Sequence, residues 1–292
     1  MGSLFARQLE LVGDGAGRYS VVLSDDWNCP LVPHGGVVTA VACRAMEREL
    51  DQPSQRLRSV TACFAGQVRA GPATAVVRVL RRGRSMSQLT VDVCSEGEPA
   101  GLTAVAVFGA ERPGFEFTDV VAPDVPGPEG LPHFRDPWPE PGADRLRFNF
   151  WDHADGRPAT GHAPWEEYVP TTSEHCTWLR FDEPALREDG SWDPLAVVAL
   201  CDTMPGAVYE RMGPGLPVTF PPSADLTVHV LGEARAEYVL ARNRARHAGE
   251  GYASVEIELW DPALGLVAYG TQVMFFSFPD GPPPPDRRRP PA

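Results

Sequence analysis

Asp202 closes the run Leu195-Ala196-Val197-Val198-Ala199-Leu200-Cys201, seven apolar or small residues followed by one carboxylate. Asp193 and Pro194 start a helix there, the aspartate as N-cap acceptor and the proline where a missing N–H costs nothing. Pro205 ends or kinks that helix. A helix apolar on nearly every face is buried, and a buried carboxylate costs free energy unless it is bonded or used. Asp202 therefore either caps a neighbouring turn or accepts a proton in a reaction. A second candidate is Pro33-His34-Gly35-Gly36, ahead of an expected helix over 37–50. The Gly35 and Gly36 amides at a helix start can hold a developing negative charge, and glycine lets a substrate come close. His34 joins them as a substrate-side residue whose ring is read as bonded to backbone.

The elements that must position these residues come in two rounds. Strands are expected at 19–23, 60–68, 73–80, 87–94 and 102–108, with the helix over 37–50 between the first two. Prolines then crowd 112–141 without a period of either element. Strands are expected again at 147–151 and 176–181, then the apolar helix from Pro194, then strands at 224–230, 236–242, 253–260 and 266–276. One strand, a buried helix and then four antiparallel strands describe a sheet wrapped around a helix.

The second round repeats the first. In the sheets, an offset of 166 puts Thr61 on Thr227, Arg69 on Arg235, Arg78 on Arg244, Gly83 on Gly249 and Val107 on Val273. At the helix starts the offset is 159, and the difference falls in 209–222, rich in Gly and Pro. The copies differ where chemistry is at stake. Asp202 aligns with Cys43, Ser223 with Leu57 and Gln272 with Ala106, so every polar member lies in the second copy. Strand alternation groups Ser223 with Thr227, which makes Thr227 the fallback hydroxyl.

Pro33-His34-Gly35-Gly36-Val37-Val38-Thr39-Ala40 resembles the helix start of hotdog-fold acyl-CoA thioesterases, and Ala199-Leu200-Cys201-Asp202-Thr203 their acidic helix stretch. The tandem layout is similar to the double-hotdog, TesB-like class. That resemblance implies an α+β fold with two antiparallel sheets, each wrapped around a long buried helix. It also implies hydrolysis of an acyl thioester by a water held by Asp202, Gln272 and Ser223. Coenzyme A would be part of the substrate, with no separate cofactor and no metal, and a homodimer or larger homo-oligomer is expected. The alternative is a double hotdog that binds an acyl thioester or shapes a biosynthetic intermediate without hydrolysis. Arg81, Arg82, Arg84, Arg242, Arg244 and Arg246 are read as solvated, or else as contacts for the phosphates of coenzyme A. Aromatic residues from Phe148 to Trp178, among them Trp151, Trp165 and Tyr168, form a substrate wall or a packed lid.

The expected divisions are 1–111, a linker over 112–144, 145–278, and a disordered tail over 279–292. A net charge of -13 excludes a general nucleic-acid binder. No apolar run approaches the roughly 18 residues of a membrane span, so no insertion is expected. The start of the chain shows no signal peptide, and six cysteines without a CxxC pair read as reduced residues of a cytoplasmic protein. An α/β-hydrolase would need G-x-S-x-G, which is missing, and the seven histidines are too scattered for a metal centre.

Overall fold

Strands with alternating inward apolar and outward polar residues curve around one buried helix in each half. The computed structural model describes residues 2–136, 148–162, 166–214, 219–278 and 281. The first half comprises α1 (Leu4–Gln8), β1 (Val12–Gly13), β2 (Arg18–Leu23), α2 (Gly35–Leu50), β3 (Arg56–Phe64), β4 (Gly71–Arg81), β5 (Met86–Ser95) and β6 (Ala100–Gly109). The second comprises α3 (Phe150–His153), β7 (Ala154–Thr160), β8 (Glu174–Phe181), α4 (Pro194–Leu200) and α5 (Gly206–Met212). It ends in β9 (Asp225–Val230), β10 (Val239–Gly249), β11 (Tyr252–Asp261) and β12 (Gly265–Phe275).

This is the tandem hotdog the sequence implied, with its two half-sheets continuous. The strand order is β1-β2-β4-β5-β6-β3-β9-β12-β11-β10-β8-β7, and β3 pairs antiparallel with β9 at the centre. Thr61 stands opposite Thr227 there, their hydroxyl oxygens 3.1 Å apart. These two residues are equivalent under the repeat offset. Their neighbours cross-pair, Val60 with Val228 and Ala62 with Leu226, so a pseudo-two-fold axis passes through the Thr61–Thr227 pair.

The helices lie back to back inside the sheet. At one end, Gly36 of α2 meets Ala199 and Asp202; at the other, the Arg44 guanidinium bonds Asp193, which caps α4. The two helices are therefore antiparallel, and these end contacts fix how far one can slide along the other.

Three expectations change. The second helix is short: α4 has seven residues against sixteen in α2. Pro205 cannot donate to the helical ladder, and the chain resumes as α5. The described part of 147–151 is not a strand but the start of α3; Arg147 lies outside the described residues. The edge strand comes just after it, as β7, where Gly156 and Pro158 weakened any strand signal. The proline-crowded stretch is irregular, yet its later part is well placed. Val125 and Leu131 pack on Trp178, Tyr238, Leu240 and Trp260 of the sheet's outer face, and the Trp178 indole N–H donates to the Pro126 carbonyl at 2.8 Å. Residues 137–147 and, apart from Gly281, the tail over 279–292 lie outside the described residues. No described helix is long and apolar enough to cross a membrane.

Candidate active site

Asp202 sits one residue past the C-cap of α4, and its carboxylate reaches the N-terminus of α2. Oδ2 accepts the Gly36 N–H at 2.8 Å. Oδ1 accepts from Gln272 Nε2 at 2.6 Å and from the Ser223 hydroxyl at 3.3 Å. Gln272 Nε2 also donates to the Ser223 oxygen, closing a three-membered ring of hydrogen bonds. Asp202 is 8% exposed and Gln272 2%. A carboxylate this buried needs such donors: each charge-assisted bond contributes roughly 1.5–3 kcal/mol. The positive end of the α2 dipole adds to them.

Gln272 projects from β12, and Ser223 is held just before β9 by an isolated bridge to Met274. With both amide hydrogens of Gln272 committed, its Oε1 is a buried acceptor without a partner among the described residues. An amide oxygen of this kind can accept a hydrogen bond from a water molecule.

His34 Nε2 lies 3.0 Å from the Asp202 backbone carbonyl, which can only accept, so Nε2 carries the hydrogen. The ring stacks on Phe150 at 4.2 Å between centroids. Burial lowers the pKa of His34 from its ordinary value, against the pull of Asp202, and keeps the ring neutral. Its Nδ1 is a second buried acceptor with no partner among the described residues. The Cys29 thiol nearby is pushed up by burial first and by Asp202 second, and stays protonated.

The glycines are required by space. A Cβ on Gly36 would lie 2.4 Å from the Ala199 carbonyl oxygen, and one on Gly35 2.8 Å from Asp202 Oδ2 and 2.9 Å from Phe64 Cζ. Phe64, at the end of β3, walls the site; nothing in its sequence neighbourhood marked it.

The structure brings Asp202, Ser223, Gln272, His34, Gly35 and Gly36 together between the halves. The oxyanion expectation is corrected for Gly36, whose N–H is taken by Asp202, and the ring nitrogen of His34 that carries hydrogen is taken by backbone. Gly35 N–H has no partner among the described residues. Thr227 is outside the site: its hydroxyl lies on the outer face against Thr61. Arg242 and Arg244 are part-buried and paired with Glu174 and Glu258, while Arg246 is solvated as expected but also pairs with Glu256. Arg82 donates to the Glu49 and Leu50 carbonyls that end α2. The aromatic segment forms no single wall. Trp151 packs on Phe134 and Phe150, Tyr168 stacks on His162, and Trp178 is on the outer face; Trp165 lies outside the described residues. Among the described residues, no three His, Cys, Asp or Glu side chains gather to hold a metal.

Comparison with known proteins agrees with this fold. Residues 23–109 match the acyl-CoA thioesterase N-terminal domain and residues 125–276 the acyl-CoA thioesterase C-terminal domain. A hot dog fold protein of unknown function from Alicyclobacillus acidocaldarius superposes with a TM-score of 0.78 at 24% identity, covering 96% of this chain and 100% of that one. The acyl-CoA thioesterase II TesB2 from Mycobacterium marinum superposes at 0.72 with 20% identity, covering 95% and 99%. At these identities the solved structures show the fold alone. No curated protein matches the chain in sequence. With both halves matched along most of their length, the chain belongs to the acyl-CoA thioesterase family.

Proposed function

We propose that this protein hydrolyses an acyl thioester, an acyl-CoA or an acyl-carrier conjugate, by water attack in the Asp202 site. The single observation that carries the reading is the buried ring of Asp202, Gln272 and Ser223. It holds a carboxylate beside an amide whose oxygen is still unpaired among the described residues. Water donates to Gln272 Oε1 and to Asp202, and its oxygen attacks the thioester carbonyl while Asp202 takes the proton. The new C–O bond forms a tetrahedral oxyanion, which the Gly35 N–H at the α2 N-terminus stabilises. Collapse breaks the C–S bond and yields free acid and thiolate. A thiol of pKa about 8.5 leaves readily as its anion, so no strong general acid is needed, in keeping with a neutral His34. In this reading the first half supplies the oxyanion donor and the second supplies the activated water.

Thiol release from a panel of acyl-CoAs, followed with a thiol-reactive dye, tests the reading. Turnover on at least one acyl length supports hydrolysis. Binding of an acyl-CoA without any thiol release replaces it with the non-hydrolytic role.

A further inference from the structure

We infer that this chain pairs with a second copy of itself by laying the arm that follows β6 on the outer face of β2 and β4 of that copy. Between Gly109 and Val125 the chain forms neither helix nor strand. Phe115 there is 99% exposed, Phe117 81% and Val121 82%. Their even spacing puts all three on one side wherever the segment runs extended, as it would when laid on a sheet. Together they bare roughly 500 Å² of apolar surface, as much as the largest patch of an ordinary monomer. A few residues further on, Val125 and Leu131 of the same linker are packed against the outer sheet face. The arm is the part of this linker that its own chain leaves uncovered.

Charge selects the seat. Glu111, Glu116, Asp119 and Asp124 outweigh Arg112 in the arm. The outer face of β2 and β4 has the complementary make-up. Arg18, Ser20 and Val22 stand opposite Val76, Thr74 and Pro72, with Arg78 and Leu80 further along β4. Val22 is 70% exposed and Leu80 52%. In a chain of net charge -13, Arg18 and Arg78 have no ion-pair partner among the described residues. Of the nearby acids, Asp92 Oδ1 accepts the Thr103 hydroxyl at 2.6 Å and Asp14 Oδ1 the Ala16 N–H at 2.9 Å, and neither carboxylate pairs with Arg18 or Arg78 among the described residues. A chain's own arm leaves β6, with β5 between it and β4, and does not lie on that seat. Reciprocal exchange about a two-fold axis buries an arm and a seat on each copy, roughly 1,000 Å² per copy. That exceeds the ~800 Å² of a standard interface and closes without leaving a free arm.

Sedimentation velocity of the full chain at micromolar concentrations tests the pairing. Wild type is expected as a dimer that weakens with added salt. Phe115→Asp with Phe117→Asp, and separately Arg18→Glu with Arg78→Glu, each raise the dissociation constant at least about thirtyfold. Circular dichroism is expected to stay unchanged in both. Adding Glu116→Arg and Asp119→Arg to the second pair restores the dimer. A monomeric wild type, including one whose arm another protein holds, overturns the inference. So does a dimer indifferent to both pairs, or a charge exchange that restores nothing.

Discussion

Asp202 Oδ1 and Gln272 Nε2 meet at 2.6 Å although 70 residues separate them in sequence. That contact depends on α4 ending where it does and on β12 turning Gln272 inward, and it leaves Gln272 Oε1 as the one acceptor of its amide still open. In the first half the same positions hold Cys43 and Ala106, both fully buried and neither able to form such a ring. The pseudo-two-fold repeat therefore built two frames and kept polar chemistry in one.

Gln272→Ala is expected to lower kcat for thiol release on the order of a hundredfold with the fold intact. Ser223→Ala should cost about tenfold, because one of the Asp202 donors is lost. Thr227→Val, which removes the hydroxyl on the outer face, should leave activity unchanged. Steady-state kinetics of the three variants check this, and a Thr227→Val effect as large as that of Ser223→Ala contradicts the assignment.

Gly36→Ala is expected to separate α2 from α4. The new methyl would sit 2.4 Å from the Ala199 carbonyl oxygen, which belongs to backbone and cannot swing aside. Overpacking of this kind costs roughly 1–3 kcal/mol, and the shift also removes the Gly36 N–H from Asp202. Urea unfolding should show lower stability, with kcat falling in the same variant; unchanged stability and activity would refute the close helix contact.

Two titratable groups, part-buried Glu47 and buried His175, are expected to tilt stability with pH in opposite directions. Burial pushes Glu47 from 4.5 up to about 7, with Arg44 pulling the other way. The stability linked to Glu47 is present in full below its unfolded value and is lost as pH rises toward 7. Burial draws His175 from 6.5 down to about 4, with His162 adding to the shift. Its contribution is full above the unfolded value and is lost as pH falls toward 4. Relative to wild type, Glu47→Gln should gain up to about 3 kcal/mol as pH rises from 4.5 to 7. His175→Asn should gain as pH falls from 6.5 to 4. Urea midpoints measured across that range test both, and curves parallel to wild type would show that neither group titrates differently on folding.

Much of this was legible in the sequence for identifiable reasons. The repeat showed because the strands keep one offset through Thr61, Arg78 and Val107, and the polar trio because only one copy carries it. The sequence could not show that Gly36 spends its N–H on Asp202, since that depends on two helices meeting across the molecule. Nor could it show that β3 and β9 fuse the half-sheets, because outward threonines suit a solvated strand as well as a central one. β7 was hidden by Gly156 and Pro158. The pairing of Arg242 and Arg244 was hidden because Glu174 lies on β8, far away in the chain.

The most direct test of the central claim is kcat for thiol release by Asp202→Asn beside wild type on an acyl-CoA that wild type turns over. The asparagine keeps the shape and an acceptor for Gly36 but cannot take the proton from water. A fall of about 10²–10⁴-fold with acyl-CoA binding preserved is the expected result. Thiol release at the wild-type rate would show that the reacting water is activated elsewhere.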